Sequence, residues 1–259
     1  MKISVLASGS KGNSTYIETE QTKILIDLGT SCLYAEKKLQ ELSVDPNEIE
    51  AILITHTHVD HINGLKVFIK KYNPMIYLSE EMHKELIEID PKLKLQEYHY
   101  LEKEFDIKDL HINVFKTSHD TNDSKGYIFK NNEKSGVYVT DTGYINARYL
   151  KQLSNHHIYI MESNHDIELL MNGNRPYHIK QRILGDKGHL SNKDCSYYLS
   201  KIIGENTKNI ILAHLSEDNN DPQLARSVLE ETLKQNKKQV NNIIIATQHD
   251  KTELVEIWK

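Results

Sequence analysis

The segment Thr55-His56-Thr57-His58-Val59-Asp60-His61 constrains this chain more than any other stretch of it. It follows Ala51-Ile52-Leu53-Ile54, a short unbroken apolar run of the kind that marks a buried central strand. In extended chain His56 and His58 point to the same side, because side chains repeat every second residue. They can therefore share one cation. Asp60 and His61 lie one turn further on, where the chain bends into a helix, and can face a second cation beside the first. Imidazole and carboxylate are the donors that Zn²⁺ and similar first-row ions accept. At this chain's own His and Asp frequencies the pattern arises by chance about twice in a thousand sequences. A polar loop of histidines bonded to backbone is the weaker reading.

Composition supports that emphasis. Fourteen of the 259 residues are His, roughly double the usual share, and histidine is the commonest metal ligand. The apolar fraction of 38 % fits a globular chain and sets aside disorder, collagen and coiled coil. Apolar runs such as Ala51–Ile54 and Ile243–Ala246 are far short of the ~20 residues a spanning helix needs, so no membrane association is expected. The first residues, broken by Ser4, do not read as a secretory signal. Cys32 and Cys195 are too few for a disulfide framework and fit a reducing compartment. The expected location is the cytoplasm. A net charge of −5 excludes nucleic-acid binding by overall charge, so any phosphate contact has to be local.

Strands and helices alternate without a linker or a fixed repeat, which predicts one domain over 1–259. Strands are expected at 2–7, 14–18, 23–28, 51–55 and 75–78, then at 110–117 paired with 125–130, and at 136–140, 157–161, 209–213, 242–246 and 252–257. A helix with Leu33, Leu39 and Leu42 on one side follows the third strand, and another is expected near 62–71. Further helices open at Ser79, Pro176, Ser191 and Pro222. Mixed strands and helices without a strict βαβ rhythm suggest two sheets packed face to face, with helices outside.

Four donors do not complete two metal sites. Three more stand at strand ends: His119 after 110–117, Asp141 after 136–140 and His214 after 209–213. The ordered series His56/His58/Asp60/His61, His119, Asp141, His214 resembles the metal-binding pattern of the metallo-β-lactamase superfamily, whose fold is an α/β four-layer αββα sandwich. The likeness covers essentially the whole chain. The segments Leu6–Ser14, Glu162–Asp166, Gly188–Ser191 and Ala213–Asn220 are together similar to the YycJ (WalJ) branch, associated with metal-dependent 5′→3′ exonuclease action on DNA. The resemblance implies one ion at His56, His58, His119 and Asp141, and a second at Asp60, His61, His214 and the shared Asp141. These would be two divalent ions, Zn²⁺ or Mn²⁺. A water held between such ions ionises near neutrality, and the resulting hydroxide is the expected nucleophile. Glu162 and His189 resemble residues that assist relatives processing tRNA 3′ ends. With Asp60 at the metal, they are the expected catalytic residues: His189 donates a proton to the leaving oxygen, and Glu162 orients it. His156, His157 and His165 receive no role.

The substrate is read from local charge. Residues 172–189 carry Arg175, Lys180, Arg182 and Lys187 against Asp186, and residues 61–79 add Lys66, Lys70 and Lys71 without an acid. Arg175 and Lys180 are expected to contact a polyanion. Ser10, Gly12 and Asn13, in the small-residue turn Gly9–Asn13, are expected to offer backbone N–H groups to phosphate. Only 22 positions separate His119 from Asp141 and 73 separate Asp141 from His214, which leaves no room for a tRNA-gripping arm or an inserted domain. The leading expectation is a phosphodiesterase acting on nucleic acid, DNA ahead of RNA, as a 5′→3′ exonuclease. The alternatives are a hydrolase of thioesters, lactones or cyclic phosphodiesters with the same metal centre, and a metal-holding module without turnover. Self-association, as a homo-oligomer, is left open.

Overall fold

The computed structural model describes residues 1–93 and 98–257. In its first half β1 (Lys2–Ala7), β2 (Ser14–Glu18) and β3 (Lys23–Ile26) form an antiparallel meander. After α1 (Cys32–Glu41) the sheet continues in parallel through β4 (Ala51–Leu53). The short α2 (Val59–Ile62) and α3 (Leu65–Tyr72) lead to β5 (Met75–Leu78), and α4 (Glu80–Ile89) precedes β6 (Tyr98–Tyr100).

The second half repeats the plan. The antiparallel strands β7 (Glu104–Ile107), β8 (Leu110–Lys116), β9 (Lys125–Asn131) and β10 (Lys134–Val139) come first. They are joined in parallel by β11 (Ile158–Glu162). Three helices, α5 (Ile167–Asn172), α6 (Tyr177–Leu184) and α7 (Asn192–Ile202), lead to β12 (Asn209–Ala213). Then α8 (Pro222–Gln235) crosses to β13 (Asn242–Ile245), and β14 (Val255–Glu256) returns to pair with β1. The two seven-stranded sheets run β14-β1-β2-β3-β4-β5-β6 and β13-β12-β11-β10-β9-β8-β7.

The inner faces meet in one apolar layer. Ile3, Val5, Ile24 and Leu53 of the first sheet pack with Tyr127, Phe129, Ile160 and Ile211 of the second. Leu25, Ile52 and Ile54 face α1, α3 and α4 on one outer side, and Met161, Ile210 and Leu212 face α7 and α8 on the other. Strands buried on both faces explain why β4, β11 and β12 read as continuous apolar runs. The arrangement is the αββα sandwich.

Helix starts follow side-chain capping: Ser31, Ser79, Asp166, Ser191 and Asp221 each accept a backbone N–H of the first turn. Two expectations need correction. Leu33 is 75 % exposed, and α1 buries Cys32, Ala35 and Leu39 instead. The helix expected near 62–71 is two helices, α2 and α3, and between them Gly64 packs so closely on Thr30 O that a Cβ there would lie 2.2 Å from it. Pro176 opens α6 as expected, its carbonyl accepting the Ile179 and Lys180 amides. Among the described residues no helix is long and apolar enough to cross a membrane.

Candidate metal centre

The site lies where strands end. β4, β8, β10 and β12 deliver the 56–61 motif, His119, Asp141 and His214, all just past their C-terminal ends. Asp27, Asp141 and His214 turn the chain there in left-handed backbone, with φ of 59°, 54° and 55°. Such conformations cost non-glycine residues on the order of 1–3 kcal/mol each and persist only where packing enforces them. Gly29 lets α2 approach: a Cβ there would lie 1.6 Å from the Asp60 carbonyl oxygen.

Two donor groups share this space. In the first, His58 Nδ1 lies 3.2 Å from His56 Nε2 and 3.2 Å from His119 Nε2. Nitrogens bound at ~2.0–2.1 Å to one tetrahedral ion stand about 3.3–3.4 Å apart, so the triad matches that spacing. In the second, Asp60 Oδ2 lies 3.7 Å from both His61 Nε2 and His214 Nε2. Asp141 stands between the groups. Its Oδ2 is 3.2 Å from His61 Nε2 and its Oδ1 is 3.8 Å from His119 Nε2.

Ring orientation follows from the nitrogen each histidine has engaged elsewhere. His56 Nδ1 meets the Thr55 hydroxyl at 3.0 Å, His61 Nδ1 meets Asp27 Oδ2 at 2.7 Å, and His119 Nδ1 meets the Gly188 carbonyl at 3.2 Å. His214 Nδ1 meets Glu162 Oε1 at 2.8 Å. In all four rings Nε2 is the nitrogen left to face the centre. Asp27 is itself fixed by the Thr55 amide at 2.8 Å and the Thr55 hydroxyl at 2.7 Å. Glu85 of α4 accepts from the Thr57 hydroxyl and, at 3.4 Å, from the Thr121 hydroxyl. It ties the loop carrying His56 and His58 to the loop carrying His119.

The electrostatics call for cations. Asp27, Asp60, Asp141 and Glu162 converge here, and among the described residues no Lys or Arg pairs with any of them. With neutral rings the pocket carries four negative charges, which two dications would balance. Asp141 Oδ2 and His214 Nε2 are buried without a hydrogen-bond partner, a costly state unless another ligand satisfies them. The residues present therefore fit metal ions. Burial alone lowers the pKa of His214, but Asp141, Asp60 and Glu162 around it raise it to about 10. Burial and the neighbouring His61 hold His56 well below the ordinary range, in the neutral form that ligates.

Glu162 is fully buried. Its Oε1 takes His189 Nδ1 at 2.7 Å as well as His214, and its Oε2 accepts the Thr142 and Leu190 amides at 3.0 and 3.1 Å. Burial pushes its carboxyl up, but His189 and the hydrogen bonds with His189 and His214 bring it down to about 2. His189 stays partly exposed, 21 % of its side chain open at the rim.

Most of the residues expected to contact substrate are engaged within the fold. Lys180 is buried, and its ammonium donates to the Met171 and Gly173 carbonyls at 2.6 and 2.7 Å, closing the end of α5. Arg175 pairs with Asp218 at 2.8 Å. The turn expected to cradle phosphate points its amides inward: Gly9 N–H to Asn13 Oδ1, Lys11 N–H to Gln248 Oε1, Gly12 N–H to Gly9 O and Asn13 N–H to Asp60 O. Ser10 sits exposed on that turn. The Asn13 side chain reaches the Asp60 carbonyl at 3.3 Å and so braces the ligand loop rather than facing solvent. His156 and His157 bond Gln152 and Ser135, away from the centre. Sequence reasoning missed Asp27 and Glu85. The signal for Asp27 is an acid closing the apolar run Ile24-Leu25-Ile26 two residues before Gly29; Glu85 carries none.

Comparison with known proteins agrees with this geometry. The profile of the Metallo-beta-lactamase superfamily matches residues 7–171. The chain is 40 % identical to Exodeoxyribonuclease WalJ of Streptococcus pneumoniae over 242 residues, covering 90 % of this chain and 88 % of that protein. It is 36 % identical to Exodeoxyribonuclease YycJ of Bacillus anthracis, covering 91 % and 90 %. The metallo-β-lactamase fold protein YhfI from Bacillus subtilis superposes with a TM-score of 0.73 over 97 % of this chain and 98 % of that one, at 14 % identity, a likeness of fold alone. With its profile match, its full-length relatives and its clustered donors, the chain belongs to the metallo-β-lactamase superfamily of metal-dependent hydrolases, in the branch of the WalJ and YycJ proteins.

Proposed function

We propose that this protein is an exodeoxyribonuclease that hydrolyses DNA phosphodiesters from the 5′ end with two divalent ions, Zn²⁺ or Mn²⁺. The observation that carries the reading is that the seven donor residues fall into adjoining groups of ligand distance, linked by Asp141, with Asp141 Oδ2 and His214 Nε2 buried there without a hydrogen-bond partner. The names of relatives covering nine-tenths of the chain supply the substrate. His56, His58 and His119 would hold one ion, Asp60, His61 and His214 the other, with Asp141 between them. When bound, such ions lower the pKa of water toward 7 and offset charge on the phosphoryl oxygens.

The protein's own residues do the rest. Asp27, Thr55, the Gly188 carbonyl and Glu162 fix the ring orientations, so the donors are set before ions or substrate arrive. Glu162 holds His189 through Nδ1, which leaves Nε2 to hand a proton to the leaving oxygen of the broken ester. An imidazole held through Nδ1 by a buried carboxylate kept ionised, with its other nitrogen free, is the arrangement a general acid requires.

The test incubates the protein and Mn²⁺ or Zn²⁺ with 5′- and 3′-labelled DNA, RNA and a small thioester. Mononucleotide release from DNA 5′ ends supports the reading. Thioester turnover without nucleotide release overturns it in favour of a small-substrate hydrolase.

A further inference from the structure

The cationic stretch 172–189 holds one arginine whose partner belongs to the metal centre. Arg182, in the last turn of α6, donates through Nε to Asp120 Oδ2. Asp120 follows His119 in sequence. Its other oxygen, Oδ1, is buried without a hydrogen-bond partner, 3.5 Å from His119 Nε2 and 3.9 Å from His58 Nε2. One carboxylate therefore separates the guanidinium from two of the donor rings. The segment after Arg182 is seated on the same centre. The Ile183 carbonyl accepts the His189 amide at 2.9 Å, and the Gly188 carbonyl meets His119 Nδ1 at 3.2 Å. At Gly188 a Cβ would come within 2.4 Å of the Arg182 and Ile183 carbonyl oxygens, which fixes the end of α6 against the loop that carries His189.

The arginine fork is left open. A guanidinium has five N–H donors in one plane, and Asp120 takes only the one on Nε. Among the described residues neither Nη meets a protein acceptor, and 58 % of the side chain is exposed. Two other cations of the stretch lack this freedom, since Lys180 is buried on two carbonyls and Arg175 pairs with Asp218 through Nη2. A planar fork with two free ends matches the oxygens of a phosphate. DNA brings one phosphate for each nucleotide, and a chain of net charge −5 has to attract them locally.

We propose that Arg182 seats DNA on the centre, its two Nη groups taking the oxygens of a phosphate that adjoins the one being cleaved. The inference rests on the exodeoxyribonuclease reading and adds the residue that holds the strand. Asp120 stands between the guanidinium and the donor rings, so the fork reaches a neighbouring phosphate and not the ester at the ions. By holding Nε, Asp120 sets the direction in which the fork faces. The contact is with backbone and carries no base preference.

The test titrates the metal-loaded protein with fluorescein-labelled, phosphorothioate-linked DNA, which resists cleavage, as single strand and as duplex, and follows anisotropy across a salt series. Turnover of unmodified DNA is measured beside that of bis(p-nitrophenyl) phosphate, an ester with one phosphate and no neighbour. Arg182→Gln is expected to raise Kd by about 10- to 100-fold and to reduce the salt slope by about 0.7 on single strands or about 0.9 on duplex. Its loss of kcat/KM on DNA should lie in KM and exceed its loss on the small ester by the same factor. Arg182→Lys keeps the charge without the fork, so its slope should match the unmodified protein while Kd stays raised. If the unmodified protein binds and degrades DNA while Arg182→Gln equals it in Kd and slope, the pair with Asp120 is a tie on α6, and the proposal is overturned while the nuclease reading stands. Equal losses on DNA and on the small ester, or bound ions missing from Arg182→Gln in native mass spectra, also overturn it, because Arg182 would then support the centre itself. Should Arg182→Gln not fold, Arg182→Lys decides, and an unchanged Kd there overturns the fork. A protein that hydrolyses the small ester but neither binds nor degrades DNA overturns both readings.

Discussion

Replacing Asp27 with Asn removes one charge and no volume, yet it should disable half of the metal centre. Asp27 accepts from two obligatory donors on different oxygens: the Thr55 amide on Oδ1 at 2.8 Å and His61 Nδ1 on Oδ2 at 2.7 Å. A carboxamide has one acceptor oxygen and one donor nitrogen. If Asn keeps the Thr55 amide bond, its NH₂ faces His61 and forces that ring to carry its proton on Nε2. That nitrogen lies 3.2 Å from Asp141 Oδ2 and 3.7 Å from Asp60 Oδ2, and is the one a metal needs bare. If Asn flips, its NH₂ opposes the Thr55 N–H instead. No orientation satisfies both partners. Losing a charge-assisted hydrogen bond costs about 1.5–3 kcal/mol, and loss of an outer partner of a ligating His typically weakens metal affinity by about 10–100-fold. The two figures agree, since each 1.4 kcal/mol is about tenfold. Competition against a chromogenic chelator should show one ion held as before, and the ion at Asp60, His61 and His214 weakened by that factor. Asp27→Asn binding both ions with unchanged affinity would refute the reasoning.

Glu85→Ala should show the opposite selectivity. It frees Thr57 and Thr121, and the ion at His56, His58 and His119 should weaken by about tenfold in the same chelator assay, with Glu85→Gln close to unchanged. His189→Ala should keep both ions by elemental analysis and lose about 10²–10⁴-fold in kcat, because it removes the proton donor and no ligand. Gly29→Ala should lower the thermal midpoint by an amount equivalent to at least about 1–3 kcal/mol, since its Cβ would lie 1.6 Å from the Asp60 carbonyl oxygen. An unchanged midpoint would mean that α2 moves more freely than the packing implies.

The sequence discloses what is local and periodic. The 56–61 motif, the apolar strands preceding His119, Asp141 and His214, and the Ser and Asp caps are all short-range patterns, and the corresponding elements form within a residue or two of where they were expected. Asp27 and Glu85 escape because their partners are set by topology. β3 must lie beside β4 before Asp27 can meet Thr55 and His61, and α4 must pack outside the first sheet before Glu85 spans two loops. Charge misleads for the same reason. Lys180 sits in a cationic stretch near His189, but its ammonium is drawn to the carbonyls that end α5. The turn Gly9–Asn13 has the composition of a phosphate cradle, yet Gln248 and Asp60, distant in sequence, take its amides. Leu33 shows the limit of helical spacing alone, because a neighbour on each side of the correct face also falls near the pattern.

The most direct test of the two-ion centre is native mass spectrometry of the protein equilibrated with Zn²⁺ or Mn²⁺, beside Asp141→Ala treated identically. The account predicts a mass increase of two ions on the unmodified chain and loss of both from the variant, because Asp141 faces both donor groups. A chain that binds no ion, or a variant that keeps both, would contradict it.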